Sequence, residues 1–287
     1  MSMKNNWQHR WRKVKSSMVS GLCLTCAAVV IAPLALLLFS LVKKGASSLD
    51  LNFFTQLPKA AGEIGGGMAN AMVGSLVLLG LAAAVGVPIG VLGGIYLSEF
   101  GGRRLSWAVR FAADILNGTP SIVWGIVIWA LVVVPITGFS AYAGGLALGF
   151  MMIPIVIRTT EEMLAMVPNG YREAAYALGI PRWRIVLHVV LKTASRGVIT
   201  GILLAGARVI GETAPLLFTA LGNNFWSRNL SEPINAMTLQ IFNYANSPFP
   251  DQNRQAWAGA LVLILFALAL NVGVRIMTRG SAPHLVK

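Results

Sequence analysis

The chain has 287 residues, of which 56% are hydrophobic and only 11% are charged, and its formal net charge is +13. A soluble domain carries about 25% charged residues, so this composition excludes a soluble protein and indicates an integral membrane protein. The excess of positive charge is typical of cytoplasmic loops, where Lys and Arg accumulate, and it does not require a nucleic-acid partner.

Neither a redox site nor a metal site is expected from the cysteines and histidines. Cys23 and Cys26 have the C-x-x-C spacing, but they lie in an apolar run without a second pair of cysteines. We interpret them as two small residues on one face of a helix. The three histidines, His9, His188 and His284, are widely separated in the sequence. The sequence therefore implies no cofactor.

The N-terminal segment 1–17 is basic and contains Trp7 and Trp11. Next to a membrane span, this composition predicts an interfacial anchor on the cytoplasmic leaflet, and a nucleic-acid-binding tail is the alternative. The apolar run 18–42 is longer than the core of a signal peptide and lacks a small-residue cleavage site. We therefore expect a first transmembrane helix that stays attached, followed by a polar, glycine-rich outer loop at 43–70.

Six apolar runs predict an all-α membrane protein with six transmembrane helices. The predicted spans are 18–42, 71–97, 107–134, 141–157, 197–221 and 256–277. The second span is rich in glycine, which lets helices approach closely in lipid. The third begins with Arg110 and Asp114, which we expect to pair as i and i+4, and its middle holds the polar, helix-weakening segment 117–121.

The distribution of Lys and Arg predicts the orientation in the membrane. With the N-terminus in the cytoplasm, about seventeen basic residues fall on the inside and about five on the outside. Both termini, including the tail 278–287, are therefore expected in the cytoplasm. The long polar stretch 161–196, between the fourth and fifth spans, is expected on the same side.

The polar stretch 161–196 carries too many charges to lie in hydrocarbon, where each would cost about 2.5–3.5 kcal/mol at the bilayer centre. Pro168 ends the preceding helix, Asn169 is the predicted N-cap and Gly179 the predicted C′ residue of a short helix. Pro181 fits the first turn of a second helix. This helix-turn-helix is too short, and too closely tethered to the membrane, for DNA binding. Two interpretations stay open on these grounds: a docking element for a cytoplasmic partner, or a plain connecting loop.

A resemblance separates these two interpretations. The segment Glu173-Ala174-Ala175, followed by Gly179, resembles the EAA loop of the permeases of binding-protein-dependent ABC importers. The end of the motif is more relaxed here than in that family. The resemblance implies that the loop 159–196 inserts into a cleft on an ATPase subunit.

Two longer runs point to one branch of that family. Segments 153–161 (IPIVIRTTE) and 208–221 (RVIGETAPLLFTAL) resemble the phosphate-specific importer permeases of the PstA type. The resemblance covers 71–277 and implies a type I ABC importer permease domain with the MetI-like fold, in a bacterial cytoplasmic membrane. It also implies partners: a sister permease (PstC-like), two ATP-binding subunits (PstB-like), a periplasmic or surface phosphate-binding protein (PstS-like), and inorganic phosphate as the cargo.

Five polar residues are candidates for the phosphate path. Arg208 is predicted near the bilayer centre with Glu212 one helical turn further, and an ionisable pair at that depth indicates function. Arg208 would present its guanidinium to phosphate oxygens, and a pair that only joins two helices is the alternative. Arg158 is expected either to guide phosphate or to extend to the interface. Thr119 and Ser121 are expected either to line the path or to join helices.

Other classes of function fit the sequence less well. The chain contains no G-x-x-x-x-G-K-[ST] phosphate loop, so ATP hydrolysis is assigned to a partner and the chain is not expected to be an enzyme. A secondary transporter is the alternative from a different class, but the sequence has no evident internal repeat. A permease of the same ABC class for sulfate or molybdate is the nearer alternative.

Overall fold

The computed structural model describes residues 3–279, which are helical apart from turns, loops and one isolated bridge between Leu221 and Ile234. The α-helices are α1 (Met3–Gly45), α2 (Leu51–Thr55), α3 (Ala69–Ile95), α4 (Arg103–Gly118), α5 (Ser121–Ile128), α6 (Val134–Ile136), α7 (Ala141–Ala165), α8 (Asn169–Ala177), α9 (Arg182–Arg184), α10 (Leu191–Val209), α11 (Ala214–Thr219), α12 (Met237–Ala245) and α13 (Pro250–Arg279). Short π-helical segments follow α3, α5 and α9, at Tyr96–Phe100, Trp129–Val133 and Ile185–Val190. The predicted tail 278–287 lies outside the described residues from position 280 onward, as does His284.

Five helical segments in the described range are long and apolar enough to cross a membrane. They are Arg10–Ser48, Ala69–Phe100, Ala141–Ala165, Arg182–Val209 and Pro250–Gly273. A sixth span results if α4 and α5 are counted as one bent span, so the predicted number of six depends on this pair. The fourth span is longer than its predicted range of 141–157, and Arg158 and Glu161 therefore lie within the helix rather than after it.

Two of the predicted spans are broken rather than continuous. The third, expected over 107–134, bends by 101° between α4 and α5. Pro120 has no N–H to donate and disfavours the α conformation at Thr119, whose ψ is 130°. The fifth, expected over 197–221, ends at Val209 and resumes after a short break as α11. The weak point in the third span was predicted from its sequence, whereas the break in the fifth was not.

The packing of α3 against α7 forms the centre of the bundle. Glycines of α3 that lie one turn apart face α7. A Cβ atom at Gly90 would lie 2.5 Å from Cβ of Val156, and a Cβ atom at Gly94 would lie 2.5 Å from Cβ of Thr160. The glycines of this span were predicted to let helices approach closely, and the contacts confirm that prediction. Small residues serve this purpose in lipid, where hydrophobicity does not drive helices to associate.

Helix α1 stands largely apart from the rest of the chain. Its side chains are exposed over 10–39, including those of Cys23 and Cys26. Contact with α13 begins near the end of α1, where Gly45 lies so close that a Cβ atom would be 2.8 Å from the carbonyl oxygen of Trp257. The last turn of α1 and the first turns of α13 therefore lie side by side.

The glycine contact between α3 and α7 predicts a position-dependent effect of added volume. Gly90→Leu should lower the stability of the purified protein by about 1–3 kcal/mol or more, because the side chain would overlap Val156. Gly80→Leu on the same helix is the control, since nothing lies within 4 Å of a Cβ atom there. Thermal unfolding in detergent measures both, and equal melting temperatures for the two variants would contradict the packing described.

Candidate functional site

The segment between α7 and α10 forms a short helix, a turn and a second helix, as the sequence predicted. Helix α8 begins at Asn169 and α9 begins at Arg182. Pro168, with φ −58° and ψ 140°, takes the cap position, so the predicted N-cap Asn169 is instead the first helical residue. Pro181 likewise precedes α9 as its cap residue rather than lying in its first turn.

Gly179 ends α8 as predicted. Its φ is +72°, in the left-handed region that favours glycine. The Gly179 N–H donates to the carbonyl of Tyr176 at 2.9 Å, and the Ile180 N–H donates to the carbonyl of Ala175 at 3.3 Å. These two hydrogen bonds form a Schellman motif, which satisfies the last carbonyls of α8 and reverses the chain toward α9.

The three residues of the predicted motif lie on different faces of α8. Ala175 is buried in an apolar cluster that contains Ile185 and Val190. Glu173 and Ala174 are exposed. Helix α8 is therefore held by Ala175 and presents Glu173 and Ala174 outward.

Arg172 ties α8 to the ends of α3 and α7. Its guanidinium donates to a carboxylate oxygen of Glu99 at 2.6 Å, and to the carbonyl oxygens of Leu164 at 3.0 Å and Val167 at 2.6 Å. The Glu99 and Arg172 side chains are only 9% and 17% exposed. The hydrogen bond between these two charged groups is short, and solvent screens it only weakly. The Arg172 guanidinium also satisfies carbonyls at the end of α7.

A second arginine reaches the same residue. Arg182 donates to the carbonyl oxygen of Glu99, and its guanidinium carbon lies 4.9 Å from the centroid of the Phe100 ring. Glu99 therefore joins both short helices to the end of the second span. Glu99 follows the predicted second span 71–97, and sequence reasoning assigned it no role. The available signal was a single acidic residue directly after a long apolar run.

Four charged side chains join α4 to α7. Arg158 donates to both carboxylate oxygens of Asp114 at 2.8 Å, and Arg110 donates to Glu161 at 2.6 Å. The predicted i, i+4 pair between Arg110 and Asp114 is therefore wrong. Because α7 continues beyond Arg158, it brings Glu161 alongside Arg110 and offers both residues of α4 a closer partner. Glu162, next to Glu161 in the chain, is exposed and forms no ion pair with the side chains that the structure describes within 10–273.

Arg158 is fixed between two carboxylates rather than extended toward an interface. Besides its bonds to Asp114, its guanidinium lies 3.5 Å from a carboxylate oxygen of Glu161. All three of its nitrogen atoms thus have acidic partners. An anion could contact this guanidinium only in competition with Asp114 and Glu161.

Arg208 and Glu212 do not form the predicted pair. Arg208 lies in the last turn of α10, near the end of a span rather than its middle, and Glu212 lies beyond the end of that helix. The helix break therefore separates two residues that a continuous helix would place on one face. In the described part of the chain, no carboxylate lies within 4 Å of Arg208, whose side chain is exposed. Glu212 is bonded through its backbone, where its carbonyl accepts from Thr238 at 3.0 Å.

Thr119 and Ser121 flank the break between α4 and α5. Thr119 donates its hydroxyl to the carbonyl of Ile115 at 2.9 Å, so it caps α4 rather than joining another helix. One turn beyond Ser121, Gly125 packs on α11, where a Cβ atom would lie 2.7 Å from Cα of Pro215. This contact brings the break after α4 and the break after α10 to neighbouring positions in the bundle.

Comparison with known proteins identifies the family. Residues 86–287 match the family described as binding-protein-dependent transport system inner membrane component. The chain is 44% identical to the phosphate transport system permease protein PstA of Haemophilus influenzae, over 96% of this chain and 98% of the relative. The chain belongs to this PstA family. PstA of Yersinia pestis is 45% identical over 93% of this chain and 91% of its own, and the probable PstA of Methanocaldococcus jannaschii is 38% identical over 86% and 88%.

Solved ABC transporters have the same fold at low sequence identity. A chain of a bacterial transporter involved in the import of the polysaccharide alginate superposes with a TM-score of 0.60 at 13% identity, over 96% of this chain and 100% of that chain. A chain of the inward-facing MetNI methionine transporter gives 0.55 at 20% identity, over 73% and 94%. These similarities confirm the predicted all-α, MetI-like permease fold, while the placement of the termini stays a prediction.

Membership of the PstA family makes the chain a multi-pass permease subunit of an ABC importer complex, and not an enzyme. It also removes the secondary transporter considered above, because the family belongs to transport systems of several components. Among the side chains that the structure describes within residues 10–273, no group of three or more His, Cys, Asp or Glu could hold a metal ion.

The Glu99–Arg172 pair predicts a specific loss of stability. Glu99→Gln should destabilise the protein by about 1.5–3 kcal/mol, because it leaves the Arg172 guanidinium shielded and without its carboxylate. Glu162→Gln should change stability by less than about 0.5 kcal/mol, because Glu162 is exposed and forms no ion pair in the described range. Thermal unfolding in detergent tests both variants, and an equally small effect at position 99 would show that the pair contributes nothing.

Proposed function

We propose that the chain is a transmembrane subunit of an ATP-driven importer of inorganic phosphate in the bacterial cytoplasmic membrane. The observation that carries this proposal is the 44% identity to a PstA protein over 96% of this chain and 98% of the relative. Identity at that level over nearly full lengths covers the membrane spans and the α8–α9 segment alike. The partners are then a PstC-like sister permease, two PstB-like ATPase subunits and a PstS-like binding protein.

The α8–α9 segment, residues 169–184, is the proposed contact with an ATPase subunit and is called the coupling loop from here on. Its geometry supports this role. The Schellman turn at Gly179 and the Arg172–Glu99 pair fix its shape, while Glu173 and Ala174 are exposed. Tyr176 is also exposed and extends the outward surface of α8. A fixed element that presents an exposed surface is suited to transmit a partner's movement into α3 and α7.

We propose that the end of the bundle that carries the coupling loop faces the cytoplasm. Glu99, at the end of α3, touches the coupling loop, so the start of α3 near Asn70 lies at the opposite, outer end. Asn70 donates to the carbonyl of Asn223 at 2.6 Å, so the loop after α11 is proposed at the outer end as well. The end of α1 and the start of α13 lie there too, since Met68 packs near Gly259 of α13. The other ends of α1 and α13 then point to the cytoplasm, in agreement with the Lys and Arg distribution.

Arg208 is the proposed phosphate contact. Its exposed guanidinium has no acidic partner in the described range, so all its donors are available to phosphate oxygens. Arg158 is less suited, because Asp114 and Glu161 already occupy its donors. Glu212, Thr119 and Ser121 lie near the two neighbouring helix breaks and are proposed to line the same path. Irregular backbone of this kind is tolerated in a membrane where it lines a polar cavity.

The proposed function is tested by reconstitution. The chain is coexpressed with the three partner types, purified as a complex and placed in vesicles, and ATP-dependent uptake of radiolabelled phosphate is measured. Excess unlabelled sulfate or molybdate should leave uptake unchanged, and excess unlabelled phosphate should suppress it. Suppression by sulfate or molybdate at equal concentration would favour the alternative anion.

Arg208→Gln should abolish phosphate uptake, a loss of at least about tenfold, while the complex still assembles. The glutamine keeps hydrogen-bonding capacity but removes the positive charge. Arg196→Gln is the matched control, because Arg196 is an exposed arginine on the same helix. Normal uptake by the Arg208 variant in an assembled complex would refute its role in the anion path.

Gly179→Val should uncouple ATP hydrolysis from uptake or release the ATPase subunit. A β-branched residue at φ +72° is strained by about 1–3 kcal/mol and would reorient α8. Gly170→Val is the control, since a Cβ atom at either glycine meets nothing within 4 Å and only Gly179 has a positive φ. Glu173→Ala changes the exposed surface without altering the turn and should also weaken coupling. If copurification of the ATPase and the ratio of ATP hydrolysed to phosphate imported survive in all variants, the docking role is wrong.

A further inference from the structure

A cavity at the outer end of the chain has a concentration of positive charge that the transport path does not use. It has a volume of about 570 Å³ and lies between the last turn of α1 and the first turns of α13. Lys43, Lys44 and Arg254 line it, together with the polar side chains of Ser47 and Asn253. We call it the outer cavity.

The cations of the outer cavity form no direct ion pair within the described residues. No carboxylate of residues 3–279 lies within 4 Å of Lys43, Lys44 or Arg254. Two acidic residues line the adjoining cavity with Arg254, and both are bonded elsewhere. Asp251 accepts from the N–H of Gly65 at 3.1 Å, and Asp50 accepts from the N–H of Phe53 at 2.8 Å as the cap of α2.

The walls of the outer cavity combine a fixed cation with an apolar surface. The Lys44 ammonium lies 4.6 Å from the centroid of the Trp257 ring, and this contact fixes its position. Gly45 allows α1 to approach α13 so closely that Lys44 and Arg254 share one cavity. Tryptophan beside basic side chains at the ends of two membrane spans is typical of the level of lipid headgroups.

We propose that the outer cavity binds a phosphate group, with Lys44 and Arg254 as its principal contacts. Arg254 offers a planar fork that matches two phosphate oxygens, and Lys44 offers a point charge. The Asn253 amide donates one N–H to the carbonyl of Ala245 at 3.2 Å and can offer its second N–H to the phosphate, whereas the Ser47 hydroxyl already donates to the carbonyl of Lys44 at 2.9 Å. The same chemistry suits the headgroup of an anionic phospholipid in the adjacent leaflet and free inorganic phosphate, and the experiment separates these two sources.

The first arm measures lipid. The assembled transporter is extracted from vesicles of phosphatidylcholine and phosphatidylglycerol, and native mass spectrometry counts the phosphatidylglycerol that stays bound. Arg254→Gln should reduce retention by about tenfold. Arg228→Gln is the matched control, an exposed arginine of the outer loop after α11 that does not line the cavity, and it should retain as much lipid as the unchanged chain.

The second arm measures free phosphate. The same transporter, without its binding protein, is placed in nanodiscs of phosphatidylcholine alone, and equilibrium binding of radiolabelled inorganic phosphate is determined. Binding that Arg254→Gln removes and Arg208→Gln preserves would identify free phosphate as the occupant. Retention of phosphatidylglycerol that depends on Arg254, without such phosphate binding, would identify the lipid.

A second variant keeps the test decisive if Arg254→Gln does not assemble. Ser47→Asp, at an exposed position just after α1, would place a carboxylate in the cavity and should reduce binding to the same extent. The proposal is overturned if neither ligand responds to Arg254→Gln or Ser47→Asp. It is also overturned if Arg228→Gln has an equal effect.

Discussion

The backbone contact between α3 and α7 is the interaction on which the rest of the structure depends. Lipid provides no hydrophobic drive for two apolar helices to associate, so close packing through Gly90 and Gly94 must hold them together. Both helices continue from this contact to the end of the bundle where the coupling loop lies. There the π-helical segment after α3 provides Glu99, and the end of α7 provides the Leu164 carbonyl that Arg172 contacts. The position of the coupling loop therefore follows from the position of these two helices.

Ion pairs at the same end of the bundle join the coupling loop and α4 to the packed helices α3 and α7. The Glu99–Arg172 pair attaches the coupling loop, and the Arg158–Asp114 pair attaches α4 to α7. The Glu99–Arg172 pair is shielded from solvent, so its charges interact more strongly than they would in water, whereas Asp114 is exposed and its pair with Arg158 is screened more by solvent. In the proposed coupling role, a movement imposed on α8 would be transmitted to α3 and α7 together. Arg208 lies at the far end of α10, outside these pairs, and its charge is free for another role.

Two helix breaks distinguish the region that we propose as the phosphate path from the rest of the bundle. The bend between α4 and α5 and the interruption between α10 and α11 are brought together by the contact of Gly125 with Pro215. Residues near these breaks, including Glu212, have backbone groups that no continuous helix satisfies, and Thr238 donates to one of them. Such backbone is stable in a membrane only when protein or a polar cavity surrounds it.

The sequence by itself determined the membrane class, the glycine contact of the second span, the helix-turn-helix around Gly179 and the membership of a permease family. These features depend on composition, local backbone preference and motif, which are properties of neighbouring residues. Only the tertiary structure decided the partners of the charged side chains. Arg110 and Asp114 are well spaced to pair with each other, yet each bonds to α7, because α7 runs on past Arg158 and offers closer carboxylates. Likewise, the break after Val209 separates Arg208 from Glu212 although their spacing fits a helix. Ion pairs depend on distance in space, and sequence spacing predicts that distance only while a helix continues.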